Sequence, residues 1–148
     1  LMAVHKKHPN SLVCERGQTY DDKKECNPGR WKTISDTGVI VPTYSMNPSP
    51  GGGCLIPFGA FHPDAVKEEC FRRLAYKNDD LWYMFMCAAN KTRMIKTRKY
   101  HKIFSLVEGS QIEQMATENV MGNQNNVVME GLKKAYPEAW HRIETDRD

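Results

Sequence analysis

The sequence lacks any apolar run that approaches the roughly 18 residues of a membrane-spanning helix. Its first residues also lack the charged-then-apolar pattern of a secretion signal. These absences argue against an integral membrane protein and a secreted one, so we expect a soluble, cytoplasmic protein. At 148 residues with 40% hydrophobic content, the chain is long enough to form a single domain, 1–148, with a core of its own.

The chain also lacks a regular cysteine pattern and a large excess of either charge. Its five cysteines include no C-x-x-C pair, which argues against a disulfide framework and a zinc ribbon. Cys70 and Cys87 fall in helical apolar patterns, where we expect them to be small buried side chains. A formal charge of +3 is too small to imply a polyanionic partner, although the charge is uneven along the chain.

Strand and helix patterns alternate without repeats, low-complexity tracts or linkers. Apolar and β-branched segments predict strands at "SLVCERG", "TGVIVP", "CLIPF", "RMIKT" and "KIFSLV". The breaker-rich segment "TYSMNPSPGGG" predicts a loop without regular structure. We therefore predict an α/β domain in which helices flank a small mixed sheet.

Helical periodicity recurs in five segments, and a sixth segment, at the start of the chain, is typical of the end of a helix. The predicted helices are "HPDAVKEECFRRLA", Asp79 to Ala89, "SQIEQMATEN", "NQNNVVMEGLKKAYP" and "PEAWHRIET". In the first of these, Val66, Cys70, Phe71 and Leu74 are expected on one apolar stripe. "LMAVHKKHPN" is typical of a helix already under way, so we expect the chain to be part of a longer protein.

Two adjacent acids, Asp79 and Asp80, begin the most apolar helix of the chain. Asn78 precedes them and can accept the N-cap hydrogen bond. Carboxylates in a first helical turn interact favourably with free amides and the helix dipole, which is a sufficient structural role. The functional alternative is a general base, because a carboxylate at a helix end can take a proton from a hydroxyl group if a cleft lies beside it.

An ordered set of motifs resembles the C-terminal half of bacterial glycosyltransferases of the GT-A type. The motifs are "HPNSLVCERG", "GRW", "GGGCLIPFGAFHPD", "KNDDLWYMFMCAANKTRMI" and "NVMGNQNNVVMEGL", and the resemblance covers roughly residues 5 to 135. In that family a His-Pro-Asn follows a helix, a glycine pair precedes an apolar segment ending in proline, and an Asp-Asp-aliphatic-aromatic begins a helix beside the active site. The matching residues are His8, Pro9, Asn10, Gly52, Gly53, Pro57, Asp79, Asp80, Leu81 and Trp82.

The resemblance implies a partial GT-A (nucleotide-diphospho-sugar transferase) fold and an inverting sugar transfer in bacterial surface polysaccharide synthesis. The donor would be a nucleotide sugar and the acceptor a saccharide. Asp80, in preference to Asp79, would be the catalytic base. The expected substrate-binding residues are Gly52, Gly53, Trp82 and Arg98.

One element of the family pattern is absent. GT-A enzymes usually hold a divalent cation and the donor diphosphate with an Asp-x-Asp motif after an early strand, and no such motif occurs here in a suitable context. It would precede Leu1, so we expect this part of the protein alone to be inactive. The resemblance implies Mn²⁺ or Mg²⁺ in the full-length enzyme, with His101 as a candidate ligand, and it allows peripheral membrane association of that enzyme.

The stretch "KTRMIKTRKYHK" concentrates positive charge around Tyr100 and His101. Its cations are Lys91, Arg93, Lys96, Arg98, Lys99 and Lys102. A solvated strand and turn is the simplest interpretation. Neutralisation of the donor diphosphate is a second one. The alternative to an enzyme is a small α/β module that binds nucleic acid through this stretch, although few aromatic residues accompany the charges.

Overall fold

The structure is a computed structural model that describes residues 1–19, 32–33, 40–98, 107–109, 119 and 122–146. It is a mixed α/β fold in which helices flank small sheets, as the sequence predicted. The strands are Leu12–Cys14 (β1), Gly17–Thr19 (β2), Lys32–Thr33 (β3), Met46–Pro48 (β4), Cys54–Leu55 (β5) and Met94–Lys96 (β6). The helices are Met2–His5 (α1), Glu68–Ala75 (α2), Asp79–Ala89 (α3), Gln124–Ala135 (α4) and Pro137–Thr145 (α5).

The described strands form two three-stranded sheets. The first has the order β5-β1-β6 and is mixed, because β1 pairs antiparallel with β5 and parallel with β6. The second has the order β3-β2-β4 and is antiparallel. Since β1 leads directly into β2, the two sheets are joined along one extended stretch of chain, 12–19.

That stretch pairs with 46–55 as a ladder interrupted by a loop. Cys14 lies opposite Cys54 on one side of the interruption, and Gly17 lies opposite Pro48 on the other. Between these pairs, only residues 15–16 face the five residues 49–53. The extra residues leave the ladder as a short loop that contains a 3₁₀ turn, Pro50–Gly52.

Helix α3 occupies the centre of the core. It contacts β4 on one side and helices α2, α4 and α5 on the others. A helix surrounded in this way needs apolar side chains on nearly all of its faces, because a single apolar stripe would leave polar side chains buried on the remaining faces. Its buried residues are Leu81, Trp82, Met84, Phe85, Met86, Cys87 and Ala88. Cys87 is buried as expected, and Cys70 packs against the core while partly exposed.

The predicted helix over "HPDAVKEECFRRLA" is divided in two. His62 caps a 3₁₀ turn, Pro63–Val66, by accepting a hydrogen bond from the amide of Asp64 on Nδ1. Lys67 then takes an extended conformation, and its ammonium group lies 2.7 Å from the Asp64 carboxylate before α2 begins. The prediction that Val66 shares the apolar stripe of α2 is therefore wrong, since Val66 is 90% exposed.

Two further strand and loop predictions need correction. In the "TGVIVP" segment, residues 40–42 are not in a strand, and regular pairing begins only with an isolated bridge between Thr43 and Met94. The segment "TYSMNPSPGGG", predicted to be irregular, contains the buried strand β4. Pro48 is tolerated there because β4 lies at the edge of its sheet, where a missing amide donor leaves no partner unpaired.

Several predicted elements lie outside the described residues. They are residues 37–39 of "TGVIVP", the strand at "KIFSLV" up to residue 106, and all of "SQIEQMATEN" except Asn119. The strands at "SLVCERG", "CLIPF" and "RMIKT" and the helices α3, α4 and α5 are confirmed. None of the helices in the described part of the chain has the length and apolar character needed to cross a membrane.

Candidate functional site

The start of α3 separates the two acids into different environments. Asn78 is the N-cap, and its side-chain oxygen accepts a hydrogen bond from the Leu81 amide at 3.3 Å, as predicted. Asp79 is exposed in the first turn, where its charge favours the helix dipole. Asp80 is half-buried and points toward the loop at 49–53. Because Asn78 provides the cap, Asp80 is not needed for that role.

The loop at 49–53 is held at both ends by the interrupted ladder. At one end the Ser49 amide donates to the Arg16 carbonyl at 3.0 Å, and at the other the Glu15 amide donates to the Gly53 carbonyl at 3.0 Å. Two of its glycines are required by geometry. A Cβ on Gly52 would lie 2.6 Å from the Cβ of Arg16, and Gly53 has a φ of +100°, which disfavours a side chain.

The loop and the helix meet through Ser49 and Asp80. The Ser49 hydroxyl donates to Oδ2 of Asp80 at 3.5 Å, a long hydrogen bond. The pKa of Asp80 is raised to about 7, chiefly by burial and then by the neighbouring charge of Asp79. The Arg16 guanidinium and the Ser49 hydroxyl oppose this rise without cancelling it. A carboxyl group with this pKa can exchange a proton with a substrate at neutral pH.

Trp82, expected to bind substrate, lies in the core. It is 2% exposed, and its indole amine donates to the Ala65 carbonyl at 3.4 Å. Its ring meets Phe71 and Tyr136 edge to face. One edge still borders a hollow of about 330 Å³ that Asp79 also lines, so a substrate contact would be made by that edge alone.

The four described cations of the basic stretch lie in different environments, and one of them, Lys91, is exposed. Arg98 lies 3.2 Å from the Glu15 carboxylate. Arg93 contacts Asp146 at 2.6 Å and stacks over the Tyr44 ring. Lys96, predicted to be solvated or bound to phosphate, is 2% exposed in strand β6.

The expected metal ligand, His101, lies outside the described residues, as do Trp31, Lys99 and Lys102. Within the described part of the chain there is no group of three or more His, Cys, Asp or Glu side chains that could hold a metal ion. A divalent metal stays a prediction.

A larger hollow, of about 590 Å³, lies at the far end of strand β5. Its lining residues are His5, Pro9, Asn10, Leu55, Ile56, Pro57, Phe58, Gly59, Ala60 and Thr92. Pro9 and Asn10 belong to one motif of the resemblance and Pro57 to another, and the fold brings the two motifs together here. Phe58 is fully exposed beside this hollow. Asp80 is not among the residues that line it.

Sequence reasoning missed three features of the site. Ser49 and Arg16 were not singled out, because their proximity to Asp80 arises from the ladder and leaves no local pattern. The hollow at Pro57 was also missed, although exposed Phe58 within a proline- and glycine-bounded segment was a signal that could have been used.

The chain was compared with known proteins at three levels. It matches no protein-family model, no curated protein and no solved structure. The glycosyltransferase resemblance therefore depends on the motifs quoted above alone.

The close approach of Gly52 to Arg16 predicts an asymmetric response to alanine. Gly52→Ala should lower the free energy of unfolding by about 1–3 kcal/mol, because the new methyl group must displace the Arg16 backbone. Gly51→Ala is the matched control, since its Cβ would meet nothing within 4 Å and should be neutral or stabilising by up to about 1 kcal/mol. Urea denaturation measures both, and equal effects would contradict the described contact.

The environment of Asp80 predicts a titration near neutral pH. Its folded pKa of about 7 exceeds the ordinary value of 3.8, so folding favours the protonated form, and stability falls as pH rises between these values. At pH 8, Asp80→Asn should therefore raise the free energy of unfolding relative to the unmodified protein, by roughly 2 kcal/mol more than the same substitution does at pH 4.

Carboxyl carbon NMR checks this assignment directly. The resonance of Asp80 should titrate near pH 7, and Asp79→Asn should shift its midpoint downward by removing a neighbouring negative charge. A midpoint near 4 in the unmodified protein would show that Asp80 is solvated.

Proposed function

We propose that this chain is the acceptor-side part of a glycosyltransferase and that Asp80 is its general base. The observation that carries the proposal is a half-buried carboxyl group with a pKa of about 7, held beside a glycine-rich loop at the start of α3. Such a group accepts a proton at the pH at which sugar transfer must occur. The motif resemblance supplies the substrate class, a nucleotide sugar and a saccharide hydroxyl.

In the proposed reaction, the acceptor oxygen attacks the anomeric carbon of the donor sugar in line with the leaving group. The hydroxyl proton passes to Asp80, and the nucleoside diphosphate departs with the electrons of the sugar–phosphate bond, so the configuration inverts. Asp79 acts on Asp80 through its charge, which helps to hold the pKa of the base near neutrality. In the longer enzyme, a divalent metal would stabilise the charge on the diphosphate.

The hollow at Pro57 suits a sugar of the acceptor that lies away from the reacting centre. Phe58 offers an exposed ring, and rings of this kind pack against the apolar face of a pyranose. Asn10 and Thr92 supply polar side chains to the same hollow. Strand β5 connects this hollow to the loop that touches Asp80. The continuous segment 49–60 therefore contributes both to the surroundings of Asp80 and to the wall of the hollow.

Nucleic-acid binding receives less support from the described residues. Phosphate neutralisation needs solvent-facing cations. Lys96 is buried, and Arg93 and Arg98 are each paired with a carboxylate. A polyanion would compete with these two carboxylates for the arginines, which leaves Lys91 as the exposed cation of the stretch without a carboxylate partner among the described residues.

The base assignment is tested in the longer protein that includes the region before Leu1, assayed for transfer from nucleoside diphosphate sugars. Asp80→Asn should lower kcat by about 10²–10⁴-fold, because the amide cannot accept the proton. In the unmodified enzyme, kcat/KM should rise with pH through about 7, where Asp80 becomes ionised.

Asp79→Asn is the matched control, since it removes the same charge one residue away. Its expected effect is smaller and includes a downward shift of the pH profile, because Asp79 raises the pKa of Asp80. Transfer rates near those of the unmodified enzyme in both variants would reject Asp80 as the base.

The role of Phe58 is tested by separating binding from chemistry. Phe58→Ala should raise KM for the saccharide acceptor by about 10-fold with little change in kcat, since stacking remote from the reacting atoms contributes to binding alone. Phe58→Tyr should retain most of the affinity. Tyr76→Ala, which removes an exposed aromatic ring outside the hollow, is the control and should leave KM unchanged.

A further inference from the structure

Cys14 and Cys54 face each other across the antiparallel pair of β1 and β5. The Glu15 amide donates to the Gly53 carbonyl at 3.0 Å, so the hydrogen bond lies beside the cysteine pair and not within it. The two cysteines therefore form a non-hydrogen-bonded pair, in which the Cα atoms are about 4.5 Å apart and the side chains are close. A disulfide accepts Cα separations of roughly 4.4–6.8 Å.

The side chains of this pair already interact. The nearby Cys54 thiol and then burial raise the pKa of Cys14, and the Cys14 thiol donates a long hydrogen bond to Sδ of Met46 at 4.0 Å. Both cysteines are free thiols in the structure. Cys14 is buried beneath the sheet and Cys54 is partly exposed, so a reagent in solution meets Cys54 first.

We propose that Cys14 and Cys54 are a reversible redox pair that closes into a cross-strand disulfide. The oxidant is a low-molecular-weight disulfide of the glutathione class. The Cys54 thiolate attacks one of its sulfurs, forms a mixed disulfide and releases one thiolate. The Cys14 thiol then attacks the Cys54 sulfur, and its proton passes to the second thiolate as that group departs. Two electrons pass from the protein to the oxidant, whose two halves take up protons as thiols.

The position of the pair gives the bond a local consequence. Cys54 follows Gly53 directly, and Cys14 precedes Glu15, so the disulfide would lie next to the hydrogen bond that anchors one end of the 49–53 loop. Oxidation would fix that end covalently while the other end remains held by the Ser49 amide. This inference does not depend on the proposed function, because it follows from strand register.

Redox titration of the 148-residue chain tests the proposal. The protein is equilibrated in glutathione buffers of increasing oxidised fraction, quenched in acid, alkylated and mapped by mass spectrometry. The expected product is a Cys14–Cys54-linked peptide that reverts on reduction. Because the bond closes a loop of about 40 residues, the unfolding midpoint temperature should rise by about 10 °C on oxidation.

Controls distinguish this pair from other thiol chemistry. Cys54→Ser, at a partly exposed position, should abolish the linked peptide and the temperature shift, whereas Cys70→Ser should leave both unchanged. Cys87 is the competing partner, since Cys54 contributes to the raised pKa of that thiol. Stable glutathionylation of Cys54 without linkage, or a Cys54–Cys87 link in its place, would overturn the proposal.

Discussion

The burial of helix α3 is the constraint on which the rest of the structure depends. Strand β4 encloses this helix on one side, and α2, α4 and α5 enclose it on the others. The helix must therefore be apolar on nearly every face, and its sequence meets this requirement. Polar side chains occur at its N-terminal end, where Asn78 is the N-cap and Asp79 and Asp80 lie in the first turn. The amides of that turn need partners, and Asn78 provides one, so the next two residues are free to differ in environment.

The interrupted ladder places the loop at 49–53 against the N-terminal end of α3, where Ser49 contacts Asp80. Pairing of 12–19 with 46–55 brings the loop at 49–53 back toward the core at a fixed point, since the backbone is bonded on both sides of it. Gly52 permits this approach because no side chain separates the loop from Arg16. The same pairing places Cys14 opposite Cys54, so the contact of the loop with Asp80 and the redox pair have one origin.

Local patterns predicted the elements that carry their own signals. Helix α3 was predicted with its cap because Asn78, two acids and a dense apolar repeat occur in order. Helix α5 was predicted from the helical pattern of "PEAWHRIET". Strand β4 was missed because the two prolines and three glycines of its segment indicate a loop. The strand is only three residues long, and its pairing partner, β2, is distant in sequence. The contact of Ser49 with Asp80 spans 31 residues of sequence, and no local periodicity encodes it.

Relative magnitudes explain why two neighbouring acids take different roles. A helix N-terminus stabilises a carboxylate by about 0.3–1 kcal/mol, which is less than one pKa unit. The pKa of Asp80, about 7 against an ordinary 3.8, has moved about three units the other way, so burial and the charge of Asp79 outweigh the dipole. Asp79 remains in solvent, where it supplies both the favourable charge at the helix start and part of the repulsion that keeps a proton on Asp80. A single acid could provide the favourable charge but not the repulsion, which requires both carboxyl groups.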